Sequence, residues 1–265
     1  MIKKYTTAFI GASAWTVGYI SAHPDENSVI IEPTAILLPE FAGAFRAEPI
    51  SKPTTSQGEG FSRDLVTRNL LLPDGRISIP AINPYFARVL LASNAVTLLM
   101  THVYEIIREK NGFVVRYVNT DGYGELFCEK IVDTRSVRGG KATLRAMLGG
   151  HGCPIDGYSR DGIYVLHGRF DDEYILAMEV QNDADDMYAD DTDNGPAVRA
   201  MYREKWAELC HTDFTGWETV TIAPFLAREY PSPIWQKISE DEYVCPSASY
   251  PDVMAAYEGG VRCVL

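Results

Sequence analysis

Tyr5-Thr-Thr-Ala-Phe-Ile10 runs directly into Gly11-Ala12-Ser13-Ala14-Trp15-Thr16, and the chain reaches Glu32 after a second apolar run, Ser28-Val29-Ile30-Ile31. A strand, a tight turn, a helix-compatible stretch to Ala22, the polar turn His23–Asn27 and a second strand fit this order. Glu32 stands 21 positions after Gly11. A dinucleotide-binding βαβ unit places the acid that grips the adenosine ribose about 20 residues beyond its first glycine. Of the three fingerprint glycines only Gly11 is present; Ser13 and Thr16 take the other two places. The first glycine makes the turn, the second admits the pyrophosphate and the third lets helix and strand pack closely. Ser13 therefore puts a CH2OH where phosphate would approach, with a hydroxyl that can donate, and Thr16 is expected to push the helix off the sheet.

The chain has 265 residues, 46% of them hydrophobic, enough for one large domain or two interleaved lobes. Its net charge of −12 argues against nucleic acid and anionic membrane surfaces as partners. No apolar run is long enough to span a bilayer. Lys3-Lys4 before the apolar stretch Ala8–Ala22 imitates a secretion signal, but the glycine–acid spacing favours the βαβ reading. Five cysteines, none in CxxC spacing, point to apolar fillers in a reducing, cytoplasmic setting, and no metal site is expected.

Residues 39–80 read as irregular, with an exposed excursion at Ser51–Gly60 and a short helix at Phe61–Leu72. Asn83-Pro84 caps a helix that continues over Tyr85–Ser93. Val96–Met100 reads as a strand buried on both faces. Tyr104–Glu109, Phe113–Val118 and Glu125–Cys128 form a meander around Asn111-Gly112 and Asp121-Gly122, and Lys130–Asp133 is a further short strand. Lys141–Leu148 has a helical pattern, Gly149–Asp161 is a loop, and Ile163–Phe170 with Tyr174–Val180 make a second hairpin. Asn182–Gly195 is an acidic loop without calcium-loop spacing, Ala197–His211 is a helix and Thr219–Ala223 a strand.

The tail adds a strand, Glu242–Cys245, a turn, Pro246–Asp252, and a small-residue helix, Val253–Arg262. This ending resembles the closing segment of FAD-dependent oxidoreductases with the glutathione-reductase-like fold. Thr97–Arg108 followed by Gly112–Val118 is similar to the meander of that family, Lys130-Ile-Val-Asp-Thr134 to the strand that ends its nucleotide domain, and Ala223–Glu229 to a segment near the flavin or substrate. The resemblance implies an α/β fold: a Rossmann-like FAD/NAD(P)-binding domain with an inserted β-meander and a smaller α+β substrate lobe. Residues 1–140 and 220–265 would form the nucleotide-binding domain and 141–219 the substrate or cap lobe. It implies FAD as cofactor, held by Gly11, Ala12, Ser13, Ala14, Glu32, Pro33, Val103, Ser247, Ala248, Pro251 and Asp252. His151 would act as an acid or base, and Arg228 would hold an anionic small-molecule substrate.

The chain also departs from that pattern. Thr134 is followed by Arg135-Ser136-Val137 rather than Gly-Asp, and no acid stands in the Pro246-Ser247-Ala248 turn. Three functions follow as expectations: an FAD-dependent oxidoreductase, a flavin-fold protein that has lost its cofactor and binds or scaffolds, and a nucleotide-binding enzyme of another class.

Overall fold

A computed structural model describes residues 2–137, 139–152, 155–180 and 196–265. Two sheets organise it. The first has eight strands. β1 (Lys3–Ile10) lies at its centre, flanked in parallel by β2 (Ser28–Ile31) and, further along the chain, by β6 (Gly122–Asp133). β3 (Val96–Leu98) extends the sheet beyond β2. The meander strands β4 (His102–Glu109) and β5 (Gly112–Asn119) attach through β5 to β6. The residues from Tyr5 to Ile10, apart from the half-buried Thr6, are buried, as expected where helices and meander cover both faces of a parallel strand.

β6 is one continuous strand where the sequence suggests two. Its first part pairs with the meander and its last part with the parallel sheet. β3 is likewise not buried on both faces: it pairs only with β2, stands at the sheet edge, and leaves Val96 exposed.

The helices α1 (Ala14–Ala22), α2 (Ser56–Thr67) and α3 (Asn83–Leu91) pack beside this sheet. α1 is buried on every side from Ala14 to Ile20, so it is apolar all round rather than amphipathic. α2 starts five residues before the predicted helix because Thr55 caps it, its hydroxyl accepting the Gly58 amide. It stops at Thr67, and Asn69 then turns with a positive φ of 59°. Asn83 is the first residue of α3, not its cap, and its side chain caps nothing.

The second sheet has six strands around β7 (Lys141–Gly150): β8 (Ser159–Arg160), β9 (Ile163–His167), β10 (Tyr174–Val180), β11 (Trp217–Ile222) and β12 (Ala227–Glu229). β7 corrects the helix expected at Lys141–Leu148. Ala, Leu, Met and Arg favour helix, but pairing with β10 on one side and with β11 and β12 on the other overrides that preference. Its period is two: Ala142, Leu144, Ala146 and Leu148 enter one core with Phe214 and Trp217. Arg145 faces away from that core. α4 (Pro196–Leu209) covers the sheet, with Tyr202 buried against it. The acidic stretch Asn182–Gly195 lies outside the described residues.

The chain returns to the first sheet through the pair β13 (Gln236–Ser239) and β14 (Glu242–Val244), the latter parallel to β6. It ends in α5 (Val253–Val261), packed against α1. Cys128 and Cys245 are buried free thiols, as fillers should be; Cys153 is outside the described residues. Among the described residues no helix is long and apolar enough to cross a membrane.

Candidate functional site: a cavity at the carboxyl ends of the parallel strands

β1, β2 and β6 end together, and a cavity of about 270 Å³ opens where they end. β1 lies between a strand that follows it closely and one that follows much later. An open α/β sheet places ligands at this kind of switch point. Gly11 makes the turn out of β1 with φ of 112°. A Cβ there would fall 2.8 Å from the Thr134 hydroxyl, so glycine is required both by conformation and by space.

Glu32 leaves β2 and turns back over this turn. Its two carboxylate oxygens accept the amides of Ala12 at 2.8 Å and Thr34 at 2.9 Å. Burial raises its pKa, while those amides and the Arg135 charge pull against the rise. Arg135 itself is clamped to Asp133, which ends β6. Thr101, His102 and Val103 supply the wall on the meander side. Phe225 and Leu226, from the loop between β11 and β12, close the wall towards the second sheet, and the Phe225 amide donates to the Gly43 carbonyl.

The start of α1 is occupied by the protein's own oxygens. The Ser13 hydroxyl accepts the Thr16 amide and donates to Thr134 at 2.9 Å, so it caps the helix. The Thr16 hydroxyl donates to the Gly11 carbonyl at 2.9 Å, which gives a β-branched residue a fully buried place against the turn. Glu40 sits on a single π-turn, Pro39–Gly43, entered through Leu38 in the left-handed region at φ of 54°. Its Oε1 accepts the Ala14 amide at 2.9 Å and the Ser247 hydroxyl at 2.7 Å. The Ser247 oxygen in turn accepts the Trp15 amide at 3.3 Å. Glu40 is 8% exposed, and burial, with the nearby Glu32 charge adding to it, pushes its pKa up to about 7. Its second oxygen, Oε2, is buried with no hydrogen-bond partner among the described residues.

The cavity gathers Gly11, Ser13, Glu32, Pro33 and Val103 of the residues expected to bind cofactor. Ala12 and Ala14 take part through the amides just described. Ser247 stands behind Glu40. Ala248 and Pro251 lie elsewhere: their carbonyls, with that of Tyr250, accept from the buried Arg46 guanidinium. Asp252 caps α5, its Oδ1 accepting the amides of Met254 and Ala255, and Ser51 donates to its other oxygen. His151 is exposed after β7, and Arg228 is buried on β12; neither lines the cavity. Sequence reasoning missed Glu40 and Thr134. Glu40 lies in a segment read as irregular, and its only signal was an acid within an otherwise apolar run, Ala35–Ala44.

No protein-family model matches the sequence, and no curated protein matches it. Solved structures do. L-proline dehydrogenase from P. horikoshii has a TM-score of 0.59 at 12% identity, over 98% of this chain and 92% of that one. Glycine oxidase from Bacillus cereus ATCC 14579 has 0.59 at 11%, over 97% and 95%. Aklavinone-11 hydroxylase, solved with FAD and aklavinone, has 0.54 at 12%, over 98% of this chain and 61% of its own length. This chain spans 60% of AlpK, another match. At these identities the likeness establishes the fold alone: a Rossmann-like α/β fold shared with these enzymes and running through both sheets.

Proposed function

We propose that this chain is a small-molecule-binding protein on a flavoprotein oxidoreductase fold, with its ligand in the cavity between Glu32, Glu40 and Val103. The observation that carries this reading is that the first amides of α1 are engaged by the protein's own side chains while Glu32 lines an open cavity beside them. The turn at Gly11 and the acid at Glu32 stand where an adenosine-type ligand is gripped in this fold. FAD is the cofactor the fold implies. Its diphosphate would need the free amides and positive dipole end of α1. The amides of Ala14, Trp15 and Thr16 are already given to Glu40, Ser247 and Ser13. The start of α5, which would face the flavin, is capped by Asp252. As they stand, these residues do not fit the diphosphate. The cysteines among the described residues are free thiols, which suits a reducing, cytoplasmic setting.

A second reading, an FAD-dependent oxidoreductase acting on an unidentified small molecule, is supported by the extent of the fold likeness, 98% of the chain in L-proline dehydrogenase. It requires Glu40 to leave the end of α1. The visible absorption spectrum of the purified protein, followed by thermal-shift titration with adenosine, NAD and FAD, separates the two. A colourless protein stabilised by adenosine and not by FAD supports the first. A yellow protein that keeps its colour through gel filtration supports the second and ends the first.

A further inference from the structure

We propose that Glu40 is an internal replacement for a ligand phosphate: its carboxylate sits on the end of α1 and makes the cavity reject phosphate-bearing ligands. This deepens the binding reading above and rests on it for the identity of the open end of the cavity.

Four observations meet at one atom group. First, Glu40 Oε1 takes the Ala14 amide and the Ser247 hydroxyl, donors that a phosphate oxygen would use at a helix N-terminus. Second, the carboxylate is nine-tenths buried and lines the cavity, so a phosphate brought there meets it at short range in a medium of low polarity. Third, Oε2 has no partner among the described residues, so above about pH 7, where Glu40 is ionised, the position beside it asks for a hydrogen-bond donor. A phosphate dianion has none to give, whereas a hydroxyl or amino group has. Fourth, the neighbouring acids reinforce this selection. Glu32 faces the same cavity, and the guanidinium of Arg135 is engaged by Asp133. A neutral, hydroxyl-rich ligand therefore suits the cavity, and a nucleotide does not.

Other groups near Glu40 are Ser247 from the turn after β14, Ala14 from α1, Glu32 from β2 and the buried Arg46 guanidinium, which hydrogen-bonds the carbonyls of Ala248, Tyr250 and Pro251. The Glu32 charge raises the cost of ionising Glu40 further. A glutamate in this position is thus costly to the fold, and is not explained by packing of an apolar core.

The test is calorimetric titration at about pH 8.5, where Glu40 is ionised, of the purified full chain with adenosine, ADP and FAD, for wild type, Glu40→Gln and Glu40→Ala. Wild type is expected to bind adenosine and to bind ADP at least about tenfold more weakly. Glu40→Ala is expected to gain at least about tenfold in ADP affinity while adenosine changes by less than about threefold. Glu40→Gln keeps the shape and an acceptor for Ala14, so it serves if the alanine variant fails to fold; it should gain part of the same affinity. Wild type binding ADP or FAD as tightly as the variants overturns the inference. So does a pair of variants that gain no ADP affinity. If the variants gain ADP but wild type ignores adenosine, the block by Glu40 stands and the nucleoside reading falls. If wild type binds adenosine and the variants gain nothing, the reverse holds.

Discussion

Gly18 on α1 lies against the Tyr257 carbonyl on α5, so close that a Cβ on Gly18 would fall 1.9 Å from that oxygen. The contact is reciprocal: a Cβ on Gly260 would fall 1.9 Å from the Trp15 carbonyl. Two helices with apolar, largely buried surfaces therefore meet backbone to backbone. Gly18→Ala forces them apart, and over-packing of this kind costs about 1–3 kcal/mol or more. Gly60, on the exposed side of α2, has nothing within 4 Å of where a Cβ would stand. Gly60→Ala should instead stabilise by about 0.5–1 kcal/mol, because alanine is the better helix former and the unfolded chain loses freedom. Urea midpoints for both variants check the opposite signs.

Glu258 binds the predicted exposed excursion to the body of the protein. Its carboxylate accepts the amides of Thr54 and Thr55 and both threonine hydroxyls, and it pairs with Arg262. These partners hold its pKa below the usual carboxylate range against the burial that raises it. Removing a charged acceptor strands four donors, and each charged hydrogen bond contributes about 1.5–3 kcal/mol. Glu258→Ala is expected to release residues 51–58 before the rest of the fold. Faster amide exchange confined to that stretch, with protection in β1 unchanged, is the expected pattern.

The run from Tyr5 to Glu32 was readable because it carries its structure locally: a continuous apolar strand, a turn that needs glycine, and an acid at fixed spacing. The hairpins around Gly112 and Gly122 are equally local, since turn chemistry sets them, with φ of 147° and 106°. β7 is different. Its alanine, leucine and arginine favour helix, and only pairing with distant strands makes it a strand, from Leu148 with Tyr174 to Lys141 with Glu229. Its two-residue period was nevertheless present in Ala142, Leu144, Ala146 and Leu148. Glu40 was invisible for a related reason. Its partners, Ala14 and Ser247, are 26 and 207 positions distant, and an acid in an irregular segment carries no sign of such company.

Glu40 imposes a pH dependence on stability. Its pKa is about 7 in the folded protein against an ordinary value of 4.5. Between those values the folded state holds the extra proton. Stability from this group is complete below the unfolded pKa and is lost as pH rises through about 7, by at most about 1.4 kcal/mol per pH unit. Glu40→Gln removes that slope and leaves the contribution of the same sign from Glu32. The variant should therefore gain stability relative to wild type between about pH 5 and about pH 8. Denaturation midpoints across this range check it; parallel curves for the two proteins would mean that Glu40 ionises normally.

Arg145 sets the opposite limb. Its side chain is fully buried on the face of β7 that points away from the apolar core, and it donates to Glu48, to Glu229 at 3.2 Å and to the Phe45 carbonyl at 3.3 Å. Glu48 is half-buried, which alone would raise its pKa, but Arg145 and Arg46 hold it below the usual range. A carboxyl lowered in this way contributes stability above its unfolded pKa and loses it as pH falls through the folded value. Arg145→Met keeps much of the volume and removes the principal cation. It should destabilise by about 1–3 kcal/mol at neutral pH, because the half-buried Glu48 is left beside only Arg46 and water relieves part of the loss. The same change should shrink the difference between neutral and acid stability. Adding Glu48→Gln should recover part of the loss, since the remaining amide carries no charge to strand. A single variant as stable as wild type would show that the buried pair holds nothing together. A double variant no better than the single would place the loss in the contacts of Arg145 with Glu229 and Phe45 instead.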